Sequence, residues 1–262
     1  MKKIYFLSGL PRAGNTLLAS ILNQNKNISV TANSPVVEMF FCMENIKKTN
    51  EAFINFPDEK SINNVIKNIF QNYYRDWKSD YIIDRSSWGT QENLDILKKY
   101  YNKDIKIIVL VRDVLEILAS FVKWSSENKN TFLDQFDTVE EKCNFLMRRG
   151  GQISLCLTSA FNLLLPENKK YSLLIEYDDL IGDTKNQIDS IYSFLGIESY
   201  SHDFKNLNQL KLNGVKYDDL YLGKNLHKVK ERSVEKSRYR VEDYLSDSII
   251  QKYSSLNFWK SR

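Results

Sequence analysis

One stretch constrains the fold more than any other: KIYFLSGLPRAGNTLLASIL, residues 3–22. A short apolar run ends at Gly9, a second glycine follows at Gly14, and an apolar segment of helical period begins at once. In order, these features predict a buried strand, a tight glycine-bearing turn and a helix. Such a turn presents a row of backbone N–H groups and the positive end of a helix dipole, which together form an anion site. Asn15 and Thr16 add side-chain donors at the helix start.

The G-x-x-x-x-G spacing from Gly9 to Gly14, with Thr16 behind it, is that of a Walker A loop, but the lysine position holds Asn15. In nucleoside triphosphatases that lysine reaches the β- and γ-phosphates, and the neighbouring hydroxyl helps hold Mg²⁺. Here the cation is Arg12, placed inside the loop. A guanidinium suits oxygens arrayed around phosphorus or sulfur because it donates two hydrogen bonds at once. The bland alternative is an ordinary strand–turn–helix with incidental glycines.

Short apolar runs alternate with helical patterns along the rest of the chain, as in a parallel α/β sheet. Strands are expected at 3–8, 81–84, 106–111 and 171–177. The run KIIVLV is apolar nearly throughout, as for a strand covered on both faces. Helices are expected at 15–25, 35–48, 60–77, 91–101 and 113–126, with the longest at 138–165. Another follows Asp183, with Ile188, Ile191, Tyr192 and Leu195 on one face and Gly196 as its stop. A further helix is expected in VEDYLSDSIIQKYSSLNFW. The fold class is therefore α/β, a three-layer P-loop-like fold with a central parallel sheet flanked by helices. Without a repeat or a Pro/Gly/Ser linker, residues 1–262 are read as one domain.

Composition excludes several classes. The net charge of +4 suits an anionic ligand but is too weak to argue for nucleic acid. Cys42, Cys143 and Cys156 stand alone, without C-x-x-C spacing, which argues against a disulfide framework or a zinc site and suits a reducing, cytoplasmic compartment. With only His202 and His227, a histidine metal site or a Ser-His-Asp triad is not expected. The apolar run after Lys2 and Lys3 is short and overlaps the phosphate-loop pattern, so it reads as a strand and not a signal peptide. No apolar stretch reaches the length of a membrane span.

A second anion anchor is expected at VLVRDVLEILASF, where Arg112 ends a strand and Ser120 lies two helical turns later. An arginine at the carboxyl end of a neighbouring parallel strand is well placed to grip a phosphate away from the first loop. The competing reading pairs Arg112 with Asp113 or Glu116. Asp84 and Arg85 end another strand, and Asp84 also reads as a metal-binding aspartate. Only a short apolar run precedes it, while Asp113 directly follows a cation.

GLPRAGNTLLASIL resembles the 5′-phosphosulfate loop of the sulfotransferases that use 3′-phosphoadenosine 5′-phosphosulfate (PAPS), in the form seen in the tyrosylprotein and bacterial branches. That resemblance implies a donor without a γ-phosphate, which has less use for the Walker lysine. It assigns donor binding to Pro11, Arg12, Ala13, Gly14, Asn15, Thr16 and Leu17. Arg112 and Ser120 resemble the family's 3′-phosphate clamp, although Trp124, with Lys123 beside it, occupies a register where the family often has another basic residue. LLIEYDDL resembles the family's Y-E-D-L segment and would lay Tyr177 against the adenine. YIIDRSSW resembles its strand-end DK or DR segment, putting Arg85 beside the sulfuryl group. The basic stretch with Lys228, Lys230, Arg232 and Ser233 sits where the family closes a loop over the nucleotide. As a structural alternative it is a solvated charged segment.

The implied reaction is in-line sulfuryl transfer from PAPS to a hydroxyl or amine of a small-molecule or peptide acceptor, releasing adenosine 3′,5′-bisphosphate (PAP). Arg12 and Arg85 would serve as the catalytic cations, with no metal required. The family's histidine and glutamate bases have no counterpart: Asn33 and Ser34 stand where the acid would be. Glu38 and Asp84 remain as candidate bases, Glu38 being equally readable as a solvent-facing helix residue. Segments 35–75 and 125–165 are expected to wall the acceptor pocket, with Phe40, Phe41, Met43, Trp124 and Phe132 as apolar contacts, although core packing explains such residues at least as often as substrate binding does. The alternatives are a P-loop small-molecule kinase, which Asn15 disfavours, and a non-catalytic nucleotide or nucleic-acid binder. Oligomeric state leaves no sequence signal.

Overall fold

A computed structural model describes residues 2–101, 104–208, 211–216, 227, 234 and 239–261. Five parallel strands form one sheet: β1 (Lys3–Leu7), β2 (Ile28–Val30), β3 (Tyr81–Arg85), β4 (Ile107–Val111) and β5 (Ser172–Glu176). Their order is β2-β3-β1-β4-β5. From β1 the chain runs to the edge strand β2, returns to β3 beside β1, and then crosses to the other side for β4 and β5. The crevice beyond the carboxyl ends of β1 and β4 is therefore the switch point of the sheet, the place where ligands bind in open α/β folds.

Helices pack against the sheet to give the expected α/β architecture. β4 is buried at all five residues, as its unbroken apolar run requires. β2 is missing from the sequence expectation because its three residues, Ile-Ser-Val, carry too little periodicity to register.

The expected helix 138–165 is two helices, Val139–Met147 and Gln152–Leu164. Gly150 breaks it with φ +72, a conformation open chiefly to glycine. A capping box at Thr138 and Glu141 starts the first half. The helix expected at 60–77 is likewise split at Asn68. Gly196 ends the helix Thr184–Leu195 in the left-handed region, and Ile188, Ile191, Tyr192 and Leu195 are its buried face.

Two aromatic clusters fill the layers between sheet and helices. Phe40 lies 5.2 Å from Phe70, which in turn meets Phe6 and Trp88. Trp124 packs 5.7 Å from Phe132 and edge-on to Phe121. Phe40 and Trp124, expected as acceptor-pocket contacts, are 1 % and 4 % exposed and belong to the core. Burial of a side chain this size outweighs any surface role, since each removes a large apolar area from water. Phe41, by contrast, is 44 % exposed.

Candidate active site

The loop after β1 stays beside β4 until it turns. Ser8 and Leu10 donate their backbone N–H groups to the Ile108 and Leu110 carbonyls, both at 2.8 Å. The turn then closes with the Ala13 N–H on the Leu10 carbonyl at 3.3 Å. Arg12 adopts φ +59 and Gly14 φ +90. Glycine bears such a value without strain, whereas arginine needs surroundings that hold it there.

The Asn15 carboxamide points into the loop: its Nδ2 donates to the Leu10 carbonyl at 2.6 Å. A Cβ on Gly9 would overlap Asn15 Oδ1, so glycine is required where the asparagine crosses the loop neck. Asn15 thus braces the turn from the position where a Walker lysine would reach out. The first helix, Asn15–Leu22, begins at Gly14 with no side-chain cap on its N-terminal N–H groups. That leaves an uncapped dipole end facing the crevice, the arrangement that favours an anion.

Arg12 and the second anchor meet here. Arg12 Nε donates to Ser120 Oγ at 3.0 Å. Arg112, 7 % exposed, donates from Nε to Glu116 Oε2 at 2.9 Å, from Nη1 to the Arg12 carbonyl at 3.0 Å and from Nη2 to Tyr239 Oη at 3.1 Å. Burial opposes its charge, but Tyr239, Tyr177 and Glu116 outweigh that, so its pKa is raised. Of the two acids considered as partners, Glu116 takes the pair, one helical turn on. Asp113 instead caps the helix Val114–Glu127 and meets Lys260 at 3.1 Å.

Tyr177 is buried between these elements. The Arg112 guanidinium lies 4.3 Å from its ring centre, and a Cβ on Gly14 would come within 2.9 Å of the same ring. The tyrosine is therefore a wedge between loop and anchor.

Arg85, at the end of β3, is wrapped by the segment after β2. Its backbone N–H donates to Thr31 Oγ1 at 2.8 Å, its Nη1 to the Ala32 carbonyl, and its own carbonyl accepts from the Ser34 N–H at 3.1 Å. Asp84 beside it is fully buried. It accepts from Trp88 Nε1 at 2.8 Å and from the Tyr74 hydroxyl, which also meets Ser34 Oγ at 3.3 Å. Burial pushes the Asp84 carboxyl up to about 6, against the pull of the hydrogen bonds from Ser34, Tyr74 and Trp88. With its oxygens engaged inside the protein, Asp84 does not face the crevice.

Glu38 is exposed in the first turn of the helix Val36–Thr49, near enough for its charge to raise the Asp84 pKa. The structure does not join it by hydrogen bond to Arg12, Ser120 or Arg112 among the described residues. Trp124 is buried, and Lys123 pairs with Glu127 at 3.2 Å. Lys228, Lys230, Arg232 and Ser233 lie outside the described residues. Sequence reasoning missed Tyr239, a lone tyrosine behind the basic stretch with no spacing to mark it. Its contact with Arg112 spans 127 residues.

Residues 2–253 match the sulfotransferase domain family. Among curated proteins no sequence matches significantly. Several solved structures share the fold. A mouse sulfotransferase crystallised with PAP is 15 % identical with a TM-score of 0.57, the match covering 100 % of this chain and 85 % of that one. The sulfotransferase domain of the Synechococcus PCC 7002 olefin synthase is 18 % identical, with a TM-score of 0.52 and 88 % coverage of each chain. A sulfotransferase from Alicyclobacillus acidocaldarius is 13 % identical, with a TM-score of 0.51, covering 78 % of this chain and 85 % of its own.

Proposed function

The chain belongs to the sulfotransferase domain family, and from that premise we propose that its donor is PAPS and that Arg12 and Arg112 grip the two ends of that donor. The observation that carries the reading is the convergence of both guanidinium groups and Ser120 at the switch point, beside an uncapped helix N-terminus. A ligand phosphorylated on both sides of one adenosine needs more than one cationic anchor, and Arg12 and Arg112 would supply them from two different elements, the loop after β1 and the end of β4. The mouse relative crystallised with PAP supports the same donor class.

In this reading the 5′-phosphosulfate lies on the loop Pro11–Leu17, against the backbone N–H groups, Thr16 and Arg12. The 3′-phosphate lies toward Arg112 and Ser120, with Lys230 assisting from the basic segment. Tyr177, whose ring lies against the Arg112 guanidinium and beside Gly14, is the residue proposed to lie against the adenine. Attack on sulfur shifts negative charge to the bridging oxygen and the leaving 5′-phosphate. Fixed guanidinium groups there stabilise the transition state more than the ground state. In this proposal Arg12 performs that task and Arg85 meets the sulfuryl oxygens. They supply the countercharge that a divalent ion gives in phosphoryl transfer.

With Asp84 sealed in the core, Glu38 is the remaining candidate for the base that takes the acceptor proton. The acceptor is a hydroxyl or amine of a small molecule or peptide. The three cysteines are unpaired, which suits a cytoplasmic setting. No helix among the described residues is long and apolar enough to cross a membrane.

The test is transfer of label from sulfur-radiolabelled PAPS to a panel of hydroxyl and amine acceptors, with a chelator present. Labelled product accompanied by stoichiometric PAP supports the reading. Label transfer that requires added Mg²⁺, or phosphate transfer from ATP instead, overturns it.

A further inference from the structure

We infer that Arg112 is a positioning residue for Arg12 as well as an anchor for the donor: it fixes the Arg12–Ala13 peptide and so couples the two ends of the nucleotide site. This rests on the nucleotide reading above.

The Arg12–Ala13 peptide is held at both ends. Arg112 Nη1 donates to its carbonyl at 3.0 Å, and its N–H donates to the Leu10 carbonyl at 3.3 Å. A peptide is planar, so two opposed hydrogen bonds fix its orientation and with it the backbone on either side. That matters here because Arg12 sits at φ +59, where an arginine does not stay unaided. The direction of the Arg12 side chain, and of the amides that follow, depends on this plane.

Arg112 is itself aimed from three further sides. Glu116 accepts from Nε, Tyr239 accepts from Nη2, and the Tyr177 ring lies against the guanidinium. Tyr239 in turn donates to the Glu116 carbonyl at 2.9 Å, which ties the C-terminal segment to the helix carrying Glu116. Three of the five N–H groups of Arg112 are thus committed to orientation, and two remain for a phosphate. A lysine, with one nitrogen on a flexible stem, cannot hold this set of directions. Arg112 therefore does two things at once: it presents charge to one phosphate and shapes the loop that holds the other.

Phosphorus NMR of bound PAP separates the two roles, because the 3′- and 5′-phosphates give distinct signals. Wild type, Arg112→Gln, Arg112→Lys and Tyr239→Phe would be compared at saturating PAP, after thermal unfolding has shown each to be folded. Both bound signals should move toward their free positions in Arg112→Gln. Arg112→Lys should restore the 3′ signal in part and leave the 5′ signal displaced. Tyr239→Phe should shift the 5′ signal in the same direction and weaken PAP binding about tenfold, the scale of one charge-assisted hydrogen bond. A 5′ signal unchanged from wild type in all folded variants would overturn the positioning role while leaving the donor assignment intact. Should Arg112→Gln not fold, Tyr239→Phe alone decides. Failure of wild type to bind PAP at all would overturn the donor assignment, and this inference with it.

Discussion

Arg12 and Ser120 stand 108 residues apart in the chain and meet through a 3.0 Å hydrogen bond from Nε to Oγ. The bond joins the loop after β1 to the helix after β4, across the crevice where the order of the sheet reverses. It holds the cation of the loop against the helix that follows Arg112.

Arg12→Ala should lower the turnover of labelled PAPS by roughly 10²–10³, the scale of losing one preorganised donor to developing charge. The loss should appear mainly in kcat, because the transition state gains more from the guanidinium than the ground state does. An unchanged kcat would remove Arg12 from the chemistry.

Ser120→Ala tests the junction itself. It should weaken PAP binding by roughly tenfold in a calorimetric titration, with thermal stability nearly unchanged. A surface-like variant, with affinity equal to wild type, would show that the serine neither touches the nucleotide nor holds Arg12.

Gly9 and Asn15 form a lock that double substitution can open. Gly9→Ala should destabilise the fold by about 1–3 kcal/mol, because its Cβ would overlap the Asn15 carboxamide. Adding Asn15→Ala should recover part of that loss, a non-additivity expected for residues in contact. Thermal unfolding of the two single variants and the double variant measures it. Strict additivity would contradict the lock.

Asp84 carries a pH signature. Its carboxyl is raised from 3.8 to about 6 by burial. The folded protein therefore binds a proton that the unfolded chain has released. The stability this contributes is present below the unfolded pKa and is lost as pH rises through about 6. Relative to wild type, Asp84→Asn should gain stability over this window, by on the order of 3 kcal/mol. A difference between the two proteins that stays flat from pH 4 to 7 would contradict a perturbed carboxyl at this site.

Sheet and loop were legible for physical reasons. The strands β1, β3, β4 and β5 are apolar runs bounded by polar turns, and two glycines five residues apart leave few alternatives to a phosphate-type turn. β2 was silent because three residues carry no period. The split of 138–165 hinged on Gly150, whose positive φ a helical pattern on either side conceals. At the site, the pair Arg112–Glu116 follows from i,i+4 spacing, whereas Tyr239 became visible only when the C-terminal segment packed against the helix Val114–Glu127. Asp84 was ambiguous for a related reason. A strand-end acid looks the same in sequence whether it faces a ligand or, as here, Tyr74 and Trp88. Phe40 and Trp124 were open in the same way, since aromatic side chains signal burial without saying whether a core or a pocket covers them, and here the core does.

The most direct test of the central claim is calorimetry with two ligands on the same protein: PAP in the presence of a chelator, and ATP with Mg²⁺. The two-anchor site predicts metal-independent PAP binding that raises thermal stability by about 2.7 kcal/mol at a hundredfold excess over Kd, with Mg²⁺-ATP binding far more weakly. Tight Mg²⁺-ATP binding, with PAP unable to bind or compete, would contradict it.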